Sequence, residues 1–330
     1  MDISTETMQA TIRAHSNIAL VKYWGKADAK LNTPAVGSIS ITLADLWTET
    51  GIRFDPALAE DRLVLDGSER ADQLGRVARC LDLVRSKAGT ALFAEIDSRN
   101  NFPTAAGLAS SASGFAALVG AAAAALGQDW SPRELSILAR RGSGSAARSI
   151  FGGFVEMYCG AAADGNDSFA EPLLPADAWP LSVLVAITAR AEKPVGSGAG
   201  MTLSAESSPY YRAWVDSHPR DLDTARRAIL DRDFGALADV AEASCLKMHA
   251  AAMSTSPPLL YWNGATVDCL QRIRRLREDG LPVFFTIDAG PQVKAVCLPQ
   301  AAAAVRSELA GMPGVQEVIA TGLGPGLERL

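Results

Sequence analysis

Histidine is scarce in this chain. Only His15, His218 and His249 occur in 330 residues, and none sits at metal-ligand spacing from another. A histidine-based metal centre and a Ser-His-Asp hydrolase are therefore poorly supported. The five cysteines (Cys80, Cys159, Cys245, Cys269, Cys297) are odd in number, widely spaced and never form Cys-x-x-Cys. That pattern argues against a disulfide framework or zinc site and predicts buried free thiols in a reducing compartment. Basic residues do not dominate: 31 Lys and Arg face 37 Asp and Glu, a net charge of −6. A nucleic-acid-binding face is not expected, although a local basic pocket for an anion is compatible with this average. The opening "MDISTETMQ" lacks a basic region followed by an apolar one, so no secretory signal and a cytoplasmic location are expected. No Gly-x-x-x-x-Gly-Lys-[Ser/Thr] phosphate loop occurs anywhere.

What is present is an ordinary globular balance, 48% apolar and 21% charged residues. The length exceeds what one core usually serves, so two domains are expected, residues 1–180 and 181–330. The boundary is placed in the polar, proline-containing "DGNDSFAEPLLPADAWP". One uncharged run, Asn100 to Gln128, is long enough to span a bilayer. Its Ala, Gly and Ser content, with Pro103 inside it, fits a buried helix entered through a small-residue loop better.

The first half reads as strands "TIRAHSNIAL", "GSISITL", "WTETGIRF" and "RLVLDG", separated by turns. A helix through "ADQLGRVARCLDLVRSKA" follows, with Leu74, Val77, Leu81 and Val84 on one face. After the strand "ALFAEIDS" comes a helix over about 108–126. A second helix opens on the capping box Ser131-Pro132-Arg133-Glu134 and stops at Gly142. The second half, without its extra helices between Thr202 and Glu278, has the order β-α-β-β-α-β. That is a ferredoxin-like pattern.

Several stretches could carry chemistry, each beside a plainer reading. In "NIALVKYWGKAD", Lys22 and Lys26 bracket an aromatic pair and could neutralise phosphate or carboxylate, or could simply be solvated. "PTAAGLASSASG" offers a helix start whose free N–H groups suit a polyphosphate, or a close helix-packing site. "RRGSGSAARS" presents Ser143, Gly144 and Ser145 with Arg148 one turn on; an exposed loop is the alternative. "GSGAGM" fails as a dinucleotide fingerprint, because it lies away from its strand and the spacing is wrong. Asp288 ends the apolar strand "PVFFTID", where a carboxylate can be desolvated for acid–base work or can start a turn.

The order of these stretches resembles the diphosphomevalonate decarboxylases, a family of the GHMP small-molecule kinase superfamily, from Ala14 to about Gly326. "KYWGK", "NFPTAAGLASSASG" and "GSGSAARS" carry most of the likeness. The resemblance implies an α+β GHMP kinase fold, with an amino-terminal half like ribosomal protein S5 domain 2 and a ferredoxin-like carboxy-terminal half. It implies ATP and Mg2+ as co-substrate and metal, and (R)-5-diphosphomevalonate as the substrate. The products would be isopentenyl diphosphate, ADP, phosphate and carbon dioxide, formed by way of 3-phosphorylation. A homodimer with no nucleic-acid or membrane partner is also implied. By the same resemblance Asp288 is the catalytic aspartate, Lys22 its cationic neighbour, and Arg148 the group fixing the substrate carboxylate with help from Asn17. Tyr23, Lys26, Ser143, Gly144, Ser145, Ser197 and Met201 match substrate positions, and Gly107, Leu108, Ala109, Ser110 and Ser111 match the ATP-phosphate loop.

Three departures from the family pattern stand out. Val36 and Gly37 replace side-chain donors, Gly198 stands where some bacterial relatives carry an arginine, and Gly322 takes the place of a lysine in "TGLGPG". Two alternatives follow: a decarboxylase of the monophosphate, for which loss of a diphosphate-binding cation would count, and a non-catalytic ligand sensor on the same scaffold.

Overall fold

The computed structural model describes residues 8–102, 110–191 and 194–330. The chain opens with the long strand β1 (Gln9–Val21), a small hairpin of β2 (Lys26–Asp28) and β3 (Thr33–Pro34), and the longer strand β4 (Ser38–Asp55). β5 (Arg62–Leu65) and β6 (Ser68–Glu69) lead into helix α1 (Ala71–Ala88), followed by β7 (Phe93–Asn100). Helices α2 (Ser110–Ala125) and α3 (Pro132–Gly142), a 3-10 segment Gly144–Ile150, and strands β8 (Phe154–Met157) and β9 (Ala170–Leu174) complete the first half. The second half contains β10 (Ser182–Ile187), α4 (Ser197–Ser207), α5 (Tyr211–Asp231), α6 (Phe234–Met253) and α7 (Gly264–Glu278). It ends with β11 (Val283–Ile287), β12 (Val293–Cys297), α8 (Ala302–Ala310), β13 (Glu317–Gly322) and β14 (Glu328–Arg329).

Two sheets organise these elements. The first runs β14-β1-β4-β7-β5-β6, with β8 pairing β4 and β9. The second runs β11-β12-β10-β13, wholly antiparallel, which is the ferredoxin-like order expected for the carboxy-terminal half. The expected strands "GSISITL" and "WTETGIRF" are one strand rather than two. β4 pairs β8 through its first residues and β7 through its last, so each end has its own partner and no turn is needed. Its pairing with β1 shifts register between His15 and Asn17 and again between Ala19 and Val21. Such irregularities re-aim side chains, here beside Asn17 and Lys22.

Helix α2 is buried on nearly every side, which explains its lack of charge. A Cβ at Gly120 would come within 2.9 Å of Leu327 and 3.3 Å of Ile12, so small residues set its close seat on β1. The capping box at Ser131 is present as expected, with Ser131 accepting from the Glu134 N–H. In α1, Leu81 and Val84 are buried while Leu74 and Val77 pack at the margin of the same core. A second core joins the two halves, combining Ile18 and Leu20 of β1 with Val183, Val185, Phe284 and residues of α5 and α6. Four cysteines are buried thiols; Cys159 is exposed, contrary to expectation, because it lies just past the end of β8.

Candidate active site

Lys22 is the residue after β1, and Asp288 the residue after β11. The shared core brings these two strand ends together. Lys22 Nζ lies 2.7 Å from Asp288 Oδ1, and Lys294 Nζ of β12 lies 3.3 Å from Oδ2. Both lysine side chains are only 1% exposed, whereas Asp288 keeps 25% of its side-chain surface open to the cleft. Burial alone would push the Asp288 carboxyl up. The ammonium groups of Lys22 and Lys294 outweigh that and hold it well below the usual carboxylate range. The carboxylate is thus ionised, largely desolvated and accessible from one side. A solvated Lys22 is ruled out by its burial.

Arg148 projects from the 3-10 segment after α3 and is 2% exposed, which rules out the alternative of an exposed loop. Its Nε and Nη2 donate to Asn17 Oδ1 at 3.2 and 3.0 Å, and Nη1 donates to Ser38 Oγ at 2.7 Å. Asn17 is itself fixed, donating to the Ser145 carbonyl at 3.0 Å and to Ser149 Oγ at 2.8 Å. Burial lowers the Arg148 pKa to about 10, so it stays charged at neutral pH. Among the described residues no carboxylate makes an ion pair with it. A buried cation held only by neutral groups at a cleft wall is suited to an anionic ligand.

The cleft has a volume of about 930 Å³ and is lined by Asn17, Lys22, Tyr23, Lys26, Ser110, Ser111, Ser143, Gly144, Ser145, Arg148, Ser197, Gly198, Met201 and Asp288. Lys30, Arg76, Arg79 and Arg141 also line it, so among the described residues seven basic side chains face two acidic ones, Asp82 and Asp288. The acidic protein therefore carries a strongly basic pocket. Ser111 Oγ and Ser143 Oγ lie 3.2 Å apart, joining the start of α2 to the Ser143–Ser145 turn. Gly144 lets Tyr23 close over it, since a Cβ there would sit 2.3 Å from the Tyr23 hydroxyl and displace the ring. Burial pushes the Tyr23 phenol up to about 12, which keeps it a proton donor. Burial, with help from Arg76, lowers the Lys26 pKa. Ser197 begins α4, and Met201 of the same helix is buried with Trp24. Gly107, Leu108 and Ala109 lie outside the described residues.

Sequence reasoning misses Lys294 and the arginines Arg76, Arg79 and Arg141. Lys294 has a usable signal, a lone charge inside the apolar strand "VKAVC". The arginines sit on or beside ordinary amphipathic helices, and only the fold turns them to the cleft. The departures from the family pattern have distinct surroundings. Gly37 packs under Leu222 and lends its carbonyl to His218, so a side chain there would collide at 2.9 Å. Gly198 faces open cleft, with nothing within 4 Å of where a Cβ would stand.

Among the described residues no three His, Cys, Asp or Glu side chains cluster to cage a metal ion. The hydroxyls of Ser110 and Ser111 and the basic wall fit a magnesium ion that arrives on nucleotide phosphates, since Mg2+ keeps waters and takes few protein ligands.

Residues 14–170 match the model of a diphosphomevalonate decarboxylase-like N-terminal domain, and residues 183–321 that of a mevalonate 5-diphosphate decarboxylase C-terminal domain. The diphosphomevalonate decarboxylase of Ganoderma lucidum is 39% identical over 308 residues, covering 86% of this chain and 76% of that protein. A solved complex of MDDEF with MVAPP, AMPPCP and magnesium is 40% identical with a TM-score of 0.90, covering 98% of each chain. The mevalonate diphosphate decarboxylase of Staphylococcus aureus is 38% identical with a TM-score of 0.92, again over 98% of each chain. With both halves matched in sequence and in fold, and the Lys22–Asp288 and Asn17–Arg148 pairs at the centre of a basic cleft, this chain belongs to the diphosphomevalonate decarboxylase family.

Proposed function

We propose that the protein converts (R)-5-diphosphomevalonate and ATP into isopentenyl diphosphate, ADP, phosphate and carbon dioxide, with the residues of this cleft in the following roles. Asp288 accepts the proton of the substrate's 3-hydroxyl as the oxygen attacks the γ-phosphorus of ATP. Lys22 and Lys294 keep Asp288 ionised beforehand, and Lys22 faces the charge of the transferring group. Arg148, steadied by Asn17, holds the substrate carboxylate so that the breaking carbon–carbon bond aligns with the departing phosphate. The C3–O bond then breaks with the electron pair leaving on phosphate. The electrons of the C1–C2 bond form the new double bond, and carbon dioxide is released. No electron-sink cofactor is needed for that step.

Lys26, Tyr23, Ser143, Gly144, Ser145, Ser197 and Met201 shape the substrate end of the cleft. Ser110 and Ser111 lie at the start of α2, where helix N–H groups favour nucleotide phosphates, and the family resemblance adds Gly107, Leu108 and Ala109 to the ATP-binding residues. Magnesium, when bound, screens the phosphate charge; Ser110, Ser111 and the phosphates themselves would hold it. Residues 1–180 and 181–330 serve as the two domains, each contributing one partner of the Lys22–Asp288 pair. A homodimer without nucleic-acid or membrane partners in the cytoplasm completes the proposal. Among the described residues no helix is long and apolar enough to cross a membrane.

The observation that carries this reading is a single ionised carboxylate between two buried lysines, in the same cleft as an arginine that lacks a carboxylate partner. Its test offers the protein ATP and magnesium with either the diphosphate or the monophosphate of mevalonate, and follows carbon dioxide. Turnover of the diphosphate is expected. Preference for the monophosphate, which the open position at Gly198 would suit, would reassign the substrate. Binding without turnover would make the chain a sensor.

A further inference from the structure

Strand β11 lies at the edge of its sheet and, among the described residues, pairs only with β12. Its outward peptide groups, at alternate residues, would lack partners if nothing covered them. Helix α6 covers them with one face, Glu242, Cys245 and His249, spaced three and four residues apart. The Phe285 N–H donates to Glu242 Oε1 at 3.2 Å, and the Ile287 N–H donates to Cys245 Sγ at 3.2 Å. The Ile287 carbonyl takes both the Cys245 thiol at 3.6 Å and His249 Nε2 at 3.3 Å. Ile287 is the residue before Asp288. From the same helix, Ser244 Oγ accepts the Lys22 N–H at 3.0 Å. One helix therefore touches the backbone at both members of the pair.

We propose that α6 is the positioning element of the reaction, with Ser244 fixing Lys22 and with Cys245 and His249 fixing the Ile287 peptide that aims Asp288. The inference rests on the function proposed above. A carbonyl can only accept, so His249 must carry its proton on Nε2. Burial, with the Lys22 ammonium adding, pushes its pKa down to about 3, which keeps the ring neutral for that bond. Burial raises the Cys245 pKa and keeps the thiol protonated as a donor. Neither side chain reaches into the cleft lining, so both act through Asp288. The charged and titratable groups facing Asp288 are Lys22 from the end of β1, Lys294 from β12, Arg148 from the 3-10 segment, and Cys245 and His249 from α6.

The test compares wild type with His249→Leu, His249→Gln, Cys245→Ala and Ser244→Ala by steady-state kinetics across pH, with melting curves as a control. His249→Leu and Cys245→Ala are each expected to lower kcat about tenfold to a hundredfold, the scale of a small misplacement of a reacting group. The KM values for both substrates should stay within about twofold of wild type. Misplacement weakens the hold of the lysines on Asp288, so the acid limb of kcat should move to higher pH. The Gln side chain can donate to the same carbonyl, so His249→Gln should recover most of the loss. Lower melting temperatures with kcat and acid limb unchanged would overturn the proposal, as would a rise in KM alone or a His249→Gln no better than His249→Leu. If His249→Leu does not fold, Ser244→Ala, which removes one oxygen, decides on the same readouts. A wild type inactive on both substrates would sink the functional reading and this inference together. An active wild type with indifferent variants would sink this inference alone.

Discussion

Two aspartates, each held by buried cations, show how differently this fold treats a charge enclosed in the core and one open to a cleft. Asp61 accepts from both terminal nitrogens of Arg85, at 2.9 and 3.0 Å, and from the Ala94 N–H at 2.9 Å. Its side chain is 4% exposed, and Arg85, held fork to fork by Asp61, also reaches the surface carboxylate of Asp82. Asp288 also has two cationic contacts, but from two separate lysines, and a quarter of its surface faces the cleft. The first arrangement uses its acceptor capacity on the protein. The second leaves a face open to the cleft, the face the proposed mechanism gives to the substrate hydroxyl, while its charge is fixed from behind. Two arginines repeat the contrast. Arg140 donates to the carbonyls of Leu31, Gly165 and Ser168 within a packed interior, whereas Arg148 is steadied by Asn17 and Ser38 at the cleft wall.

The sharpest way to break this comparison is to remove each aspartate. Asp288→Ala should lower carbon dioxide and ADP release per folded molecule by about 10²- to 10⁴-fold, the worth of a positioned base, and should also lower the melting temperature, because Lys22 and Lys294 lose their buried counter-charge. Asp61→Ala should cost stability alone, about 1–3 kcal/mol, because buried Arg85 loses its two-pronged partner and keeps only the exposed Asp82 carboxylate. Turnover per folded molecule should hold for Asp61→Ala, and a similar loss of turnover at both sites would erase the distinction.

Arg148→Gln comes next. It keeps hydrogen-bonding capacity near Asn17 but removes the charge meant for the substrate carboxylate, so kcat/KM should fall about 100-fold. Arg140→Gln should show its loss in thermal melting rather than in kcat/KM.

A smaller effect belongs to Lys294→Met. Asp288 has a folded-state pKa below its unfolded one, so its ionised form stabilises the fold above the ordinary carboxylate range. That contribution is lost as pH falls through the folded value. Without the Lys294 ammonium the folded pKa rises, and both the acid limb of activity and the acid edge of stability should move to higher pH. Activity and melting measured along one pH series would show whether they move together. The smallest effect is expected of Gly198→Arg, which places a cation in open cleft. It should lower KM for the diphosphate about two- to fivefold, on the scale of an exposed ion pair.

Much of the fold and of the site is legible in the sequence. The ferredoxin-like order follows from the succession of apolar strands and helices, and the capping box marks the start of α3. Lys22, Arg148 and Asp288 are singled out by their sequence context and Asn17 by the family resemblance, and the structure brings all four to one cleft. What escapes depends on pairing between distant segments. The continuity of β4 is set by which strands lie beside each of its ends, and nothing local announces that. Lys294 reads as a strand residue because the partner that makes its burial tolerable, Asp288, is aimed at it by a turn. Arg76 and Arg141 read as the polar sides of helices until α1 and α3 are placed around the pocket. The exposure of Cys159 likewise reflects where β8 stops rather than any property of the residue.

In the proposed reaction, one ionised carboxylate couples phosphoryl transfer to decarboxylation. A single turnover with (R)-5-diphosphomevalonate, in which ADP, phosphate and carbon dioxide are measured together for wild type and Asp288→Asn, tests that coupling at its source. Equal amounts of all three are expected from wild type and none from the variant, whose fold should be intact. Carbon dioxide without ADP, ADP without carbon dioxide, or an Asp288→Asn variant that still releases both would contradict it.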